Sequence, residues 1–389
     1  MALFEYFPNY IWNLSVAIAM ESGGRIGEIV DMCEPIRKAA ENGDAGTPDF
    51  MRRWAGKGRE LLELAEEDEA KCRAFSASNK LERASLYLFV AERMQAHGSE
   101  GRKETYALAR EAFDRSTRLG GINRERVEIP LESGTMPALL TRAPGEGPRP
   151  CVVYCNGLDS CKELLYWTRL PEELARRGVS TLCVDQPGSG EALRFQGLPV
   201  DPHSESWASQ AVDWLEGQGD IDAARIGMTG ISLGGHFAPR AVAYEPRFVS
   251  GAVWGANHNW REVQDKRIAR EGENPVPHYW EHVFWAFGAN DMEGFLAKSQ
   301  GMNLNGHMDR IKVPFLVTHG AKDRQISVAY ADDLYSQLVN SPRREKVIFT
   351  KREGGVEHVG ADNMSYARDL IADWFAETLG EWTQENGSR

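Results

Sequence analysis

The chain has 389 residues, with 45 Lys and Arg against 57 Asp and Glu, for a formal net charge of −12. At roughly 100–200 residues per domain, that length suits one large domain plus an accessory one. Apolar residues at 42% and charged residues at 26% make a globular composition and exclude wholesale disorder. An acidic chain without a block of consecutive Lys or Arg argues against a nucleic-acid partner.

The opening stretch to Met20 is apolar in places, but Glu5, Pro8, Asn9 and Asn13 interrupt it. Its first basic residue is Arg25, so the charged start of a signal peptide is missing. No run approaches the roughly 18 apolar residues of a spanning helix, so a cytoplasmic protein without membrane contact is expected. Cys151, Cys155 and Cys161 lie close in sequence, yet no second cluster or nearby His completes a zinc tetrahedron. Buried thiols, with no metal and no cofactor, are the expectation.

The first third reads as helices. One covers about Asp49 to Ala74, after the turn-rich Gly43-Asp44-Ala45-Gly46-Thr47-Pro48. A second, Lys80 to His97, spaces Leu81, Ala84, Leu88 and Ala91 helically, and a third places Tyr106, Ala109, Phe113 and Ser116 likewise. No repeat of fixed period joins them. A helical domain over residues 1–121 is expected, ending near Gly120-Gly121.

From residue 122 the pattern changes. Arg126–Ile129 and Ala138–Thr141 look like paired strands around a Glu132–Thr135 turn. Short apolar runs then alternate with helices: Cys151–Tyr154, Ser180–Val184, Ile226–Thr229, Val249–Trp254, Phe315–Thr318 and Lys346–Phe349. Such runs predict an α/β domain over 122–389, with a mostly parallel sheet covered on both faces. A last helix with Tyr366, Leu370, Trp374 and Phe375 on one face would close a flank. Residues 258–310 interrupt the rhythm as a lid-like insertion rich in aromatics, including Trp260, His278, Tyr279, Trp280, His282, Phe284, Trp285 and Phe287. Trp260, Trp280, Trp285 and Phe287, with Trp12 and Tyr10, suit either an aromatic-sized pocket or a small core.

Chemistry concentrates at Gly230-Ile231-Ser232-Leu233-Gly234-Gly235, between a strand and a helix. A serine in that strained turn needs small neighbours two positions away, and its hydroxyl is pushed out at the sheet's carboxyl edge. A base and an orienting acid must follow it. Asp323 comes just past the Phe315–Thr318 strand, and His358 is the only histidine after Asp323. The chain order Ser232, Asp323, His358 therefore reads as nucleophile, acid and base. His319 is expected to pack at its strand end, and Glu357 to orient the base only in an unusual loop. The Leu233 N–H is one expected oxyanion donor, and Leu158 N–H, beyond the permissive Gly157, is the other. Ser160 and Glu163 read as a capping box, Asp159 and Lys162 as cap or surface residues, and Asp185–Glu191 as a turn.

Gly157-Leu158-Asp159-Ser160 with Lys162-Glu163, Asp185-Gln186-Pro187-Gly188-Ser189-Gly190-Glu191, the Ser232 motif and Glu245-Pro246-Arg247 together resemble a group within the α/β-hydrolase superfamily. It comprises the 2,6-dihydroxypseudooxynicotine hydrolases, fungal polyketide-shortening hydrolases and FrsA-like esterases. The resemblance runs from about Val127 to the end, and the N-terminal helices are similar in kind to the group's helical cap. It implies hydrolysis of a carbon–carbon bond next to a carbonyl, as in a β-diketone, acyl-phenol or polyketide-like substrate. It also implies no metal or organic cofactor, and a homodimer. Ser232, Asp323 and His358 match the group's triad, and Leu158 and Leu233 its oxyanion loops. Asn156 departs from the pattern, where glycine is common. Attack by Ser232 and activation of water by His358 both remain open. So do a carboxylesterase or thioesterase with an aromatic or apolar acyl substrate, and a ligand-binding protein without catalysis.

Overall fold

The computed structural model describes residues 5–269 and 276–380. They form two compact units. One holds the chain up to Arg124 together with residues 276–283, and the other holds residues 125–269 and 284–380.

The first unit contains the helices Tyr10–Glu21, Ile26–Cys33, Thr47–Ala70, Ala74–Arg93 and Arg102–Gly120. Tyr10–Glu21 is a helix that periodicity did not reveal. It is buried almost all round, so it has no polar face to alternate with an apolar one. The Asn9 side chain caps it, accepting from the Ile11 and Trp12 N–H groups. Thr47–Ala70 starts earlier than expected because Pro48 sits in the first helical turn, where its missing N–H costs nothing. It packs on Ala74–Arg93 closely enough that a Cβ at Gly58 would lie 2.7 Å from Leu88 Cγ. Phe7, Trp12, Phe50, Trp54 and Tyr87 form a continuous aromatic core with successive centroids 4.9–5.7 Å apart. Trp12 is wholly buried in that core and Tyr10 is buried too, so the pair expected as possible pocket walls are packing residues.

The second unit is built on strands β1 (Glu125–Leu131), β2 (Gly134–Thr141), β3 (Arg149–Cys155), β4 (Ser180–Val184), β5 (Ile221–Ile231), β6 (Phe248–Trp254), β7 (Phe315–Gly320) and β8 (Arg344–Phe349). Among the described residues they make one sheet in the order β1-β2-β4-β3-β5-β6-β7-β8, with β2 antiparallel to both neighbours and the rest parallel. All six apolar runs become strands; those inside the sheet are covered on both faces, which needs side chains that lose nothing by leaving water, while β8 is a half-exposed edge strand. After β4 the chain returns across β3 to place β5 on its other side, so the order reverses at β3. From there the chain leads from β3 to β4 on one side and from β5 to β6 on the other.

The final helix, Ser365–Leu379, presents Ala367, Ile371, Trp374, Phe375 and Leu379 to the sheet. Tyr366, expected on that face, is exposed. Trp374 Nε1 donates to the Gly251 carbonyl at 3.1 Å, and Gly227 leaves room for Phe375, whose Cε1 would lie 2.8 Å from an added Cβ. Of the insertion, residues 270–275 lie outside the described residues. Its helices are Trp260–Ala269, Tyr279–Phe287 and Met292–Lys298. Trp260 stacks on Phe287 at 5.0 Å and meets Phe295 edge-on at 5.8 Å, so these three are core. Tyr279, Trp280 and Trp285 are half-buried. Among the described residues no helix is long and apolar enough to cross a membrane.

Phe375→Ala removes the ring that seals Gly227 and is expected to cost about 3–5 kcal/mol of unfolding free energy. Chemical-denaturant midpoints of the two proteins check this, and a loss below about 1 kcal/mol would mean the helix does not depend on that contact.

Candidate active site

Ser232 sits where β5 turns into the helix Gly234–Tyr244, with φ of 58°, in the left-handed region that side chains avoid. Its N–H donates to the Trp254 carbonyl at the end of β6 (3.1 Å). The surrounding glycines are required by the backbone itself. A Cβ at Gly230 would lie 2.2 Å from the Gly234 carbonyl oxygen, one at Gly234 2.7 Å from that of Cys155, and one at Gly235 2.0 Å from that of Gly255. The motif is therefore a packing solution that holds the turn tightly against the ends of β3 and β6.

His358 lies in the loop after β8, its Nε2 3.0 Å from Ser232 Oγ. Its Nδ1 is 2.8 Å from Asp323 Oδ2, just past β7. The structure thus brings the three expected side chains into one hydrogen-bonded line from three separate loops. Asp323 is nearly inaccessible, and its Oδ1 accepts the Gln325 and Ile326 N–H groups at 2.7 and 2.9 Å. Burial opposes its charge, but the His358 ring, His319 and the Ile326 N–H outweigh that and hold its pKa below the ordinary carboxylate value. His319 is buried with Nε2 3.0 Å from the Ile326 carbonyl, and burial first of all lowers its pKa and favours the neutral ring. Glu357 faces away from His358 and accepts two bonds from the Arg324 guanidinium, both 3.0 Å. That ion pair joins the residue after Asp323 to the residue before His358. Asp362 shapes the same loop by accepting the Gly355, Val356 and Glu357 N–H groups at 2.8–3.2 Å.

The loop after β3 passes directly over the serine. A Cβ at Gly157 would stand 3.0 Å from Ser232 Cβ and 3.4 Å from its Oγ, so any side chain there would press this backbone away from the serine by a few tenths of an ångström. Leu158 follows it, and Leu233 is the N-cap residue of the helix after Ser232. Asn156, the departure from the family pattern, is buried, and its Nδ2 donates to the Val184 carbonyl (2.7 Å) and Asp185 Oδ1 (3.0 Å). It ties the β3 loop to the β4 loop.

Three sequence expectations fail here. The expected capping box is absent: Cys161 is the N-cap of Lys162–Trp167 without a side-chain cap bond, and Asp185 Oδ1 accepts the Lys162 N–H at 2.6 Å instead. Lys162 is no surface residue. It is wholly inaccessible, bonded to Glu163 (2.6 Å), Asp185 (3.2 Å) and Glu191. Nor is Asp185–Glu191 only a turn, since both its carboxylates serve that ammonium. Burial pulls the lysine down, but the three carboxylates more than reverse this and raise its pKa well above the ordinary value. Burial likewise pushes Asp185 up to about 6, against the pull of Lys162. The signal in the sequence was a charge in each of two loops that leave adjacent strands, and their adjacency becomes visible only once β4 is paired with β3.

Asp323 makes the acid stability of the fold testable. Its pKa is depressed in the folded chain, so it contributes stability above the unfolded value of 3.8, lost as pH falls through the folded value. Urea midpoints of wild type and Asp323→Asn, measured from roughly pH 5 to pH 2, should converge as the wild type loses that contribution. Parallel curves would show that the carboxylate carries no such linkage.

Comparison with known proteins gives the arrangement its family. The model described as "Esterase FrsA-like" matches residues 48–258, and that of the prolyl oligopeptidase family matches residues 208–381. The chain is 30% identical to the 2,6-dihydropseudooxynicotine hydrolase of Paenarthrobacter nicotinovorans, over 84% of this chain and 83% of that one. It is 26% identical to the hydrolase LUC6 of a Fusarium species, over 97% and 98%. The crystal structure of 2,6-dihydroxy-pseudo-oxynicotine hydrolase covers 94% of the chain with a TM-score of 0.76 at 23% identity, which establishes the shared α/β-hydrolase fold. With the FrsA-like model matched over more than half of the chain and a relative 30% identical over most of both chains, the chain belongs to the FrsA-like family of α/β-hydrolases.

Proposed function

We propose that the protein is a serine-triad hydrolase that cleaves a carbon–carbon bond next to a ketone in a small aromatic substrate such as a β-diketone or an acyl-phenol. The observation that carries the triad is the line from Ser232 Oγ to His358 Nε2 to Asp323 Oδ2, at 3.0 and 2.8 Å. Support for the bond comes from the motif resemblance and from the 30% identity to a hydrolase named for a pseudooxynicotine substrate.

In this reading Asp323 holds the Nδ1–H of His358, so that Nε2 accepts the Ser232 proton as Oγ attacks the ketone carbon. The carbonyl oxygen takes the negative charge and accepts from the Leu158 and Leu233 N–H groups. Collapse breaks the carbon–carbon bond and expels a carbanion stabilised as an enolate or by an aromatic ring. His358 returns the proton to that carbon, which leaves an acyl group on Ser232. Water then gives a proton to His358 and attacks the acyl carbon, releasing a carboxylic acid and restoring Ser232. Ester hydrolysis is the second reading, favoured by the description of the matched family, and it uses the same groups on an easier leaving group.

Turnover of aryl β-diketones, acyl-phenols and simple esters, with products identified by mass spectrometry, tests both readings. Carbon–carbon cleavage by wild type that falls about 10⁶-fold in Ser232→Ala and about 10⁴-fold in Asp323→Asn is expected. Ester-only turnover would replace the first reading by the second, and undiminished turnover by Ser232→Ala would remove the serine from the chemistry.

A further inference from the structure

The Lys162 cluster is the most deeply buried set of charges beside the site, and the proton relay does not use it. We propose that Asp185, locked by Lys162, Glu191 and Arg126, is a positioning residue that holds the Gly157-Leu158 backbone over Ser232, so that the oxyanion donor is in place before substrate arrives. This rests on the reading of Leu158 as an oxyanion donor.

Residues 156–161 belong to no strand or helix, so no ladder fixes them. Their ends are fixed by side-chain and backbone groups from the segment after β4. At the first end, Asn156 N–H donates to Gln186 Oε1 (3.0 Å), and Gln186 Nε2 donates back to the Asn156 carbonyl (3.1 Å). At the far end, the Gly190 N–H reaches the Ser160 carbonyl (3.2 Å). Asp185 joins both ends. Its Oδ1 accepts from Asn156 Nδ2 at 3.0 Å and from the Lys162 N–H at 2.6 Å, and its Oδ2 accepts from Lys162 Nζ at 3.2 Å and the Glu191 N–H at 2.9 Å. A carboxylate has about four acceptor sites, so this one is fully used.

The lysine is used just as fully. Its three ammonium protons match three acceptors: Glu163 Oε1, Asp185 Oδ2 and Glu191 Oε1. Arg126 closes the cluster from β1, donating to Glu191 Oε2 at 2.9 Å. Gly190 makes room for the carboxylate, because a Cβ there would lie 2.0 Å from Asp185 Oδ1. A lysine and three carboxylates packed out of water, with a half-buried Arg126 at their edge, are a poor device for stability, since apolar residues of similar volume often do as well or better. What the cluster supplies is direction. Each donor fits one geometry, and the loop it fixes is the one whose glycine touches the serine. A displacement of about 1 Å at such a loop is enough to cost around 10²-fold in rate.

The test uses the full chain and a fluorophosphonate probe, which forms a bond from Ser232 oxygen to phosphorus as fluoride leaves. Labelling is followed by intact mass and resolved into a binding constant and a limiting rate. Asp185→Asn keeps the shape but turns an amide N–H₂ toward Lys162 Nζ and the Glu191 N–H. It is expected to lower the limiting rate about 10- to 100-fold, with the binding constant within about threefold and every molecule eventually labelled. Partial unfolding would instead reduce the labelled fraction. If Asp185→Asn does not fold, Glu191→Gln weakens the same lock and carries the same expectation. A folded variant that labels at the wild-type rate would overturn the proposal while leaving Ser232 as nucleophile. Labelling of Ser232→Ala at the wild-type rate, or none of wild type, would bring down the reading of the site itself.

Discussion

The turn at Ser232 is the constraint around which the sheet's carboxyl edge is arranged. A non-glycine residue at φ 58° is disfavoured by clash with its own side chain, so the neighbouring structure must hold it there. The Ser232 N–H bond to Trp254 fixes it to β6, and the carbonyls of Cys155 and Gly255 come close enough to Gly234 and Gly235 to exclude any Cβ. Those contacts need β3, β5 and β6 side by side in parallel register, which the central sheet provides. The strain is stored where an exposed hydroxyl is needed, and the sheet around it supplies the compensating bonds.

Around that turn the loops share a second device. Irregular backbone near the site leaves N–H groups without a ladder, and carboxylates from the surrounding loops collect them. Asp323 takes two beyond β7, Asp362 takes three beyond β8, and Asp185 takes two beyond β4. Each carboxylate also reaches across to a further group or closes its own loop: Asp323 to His358, Asp185 to Asn156, and Asp362 back over the backbone before Glu357. The Arg324–Glu357 pair ties the acid's loop to the base's loop from outside. An acidic chain therefore spends several of its carboxylates on internal geometry, where charge-assisted bonds are strong and directional.

Much of this was legible in the sequence. All the apolar runs became strands, because runs of four to six residues alternating with helices are too short to be buried helices themselves. The Ser232 motif announced its turn, and Asp323 and His358 were picked out by chain order and by position after late strands. The failures have a common cause. Asp185 is a charged residue in a loop and Lys162 and Glu191 stand in the first turns of short helices, and local sequence makes such residues look solvated. Trp12 and Trp260 could be wall or core, and only their partners, Phe50 and Phe287, decided. The helix Tyr10–Glu21 had no periodicity to read because nearly every face of it is covered.

By itself the sequence determined the element types, the parallel sheet and the strained serine turn, since each depends on side chains within a few positions of one another. Tertiary structure alone decided which charges are buried, which aromatics pack together, and that the loops after β3 and β4 share one carboxylate. Those outcomes depend on pairing between segments distant in the chain, here Asn156 with Asp185 and Ser232 with His358. A local pattern records the preference of each segment but not the partner that satisfies it.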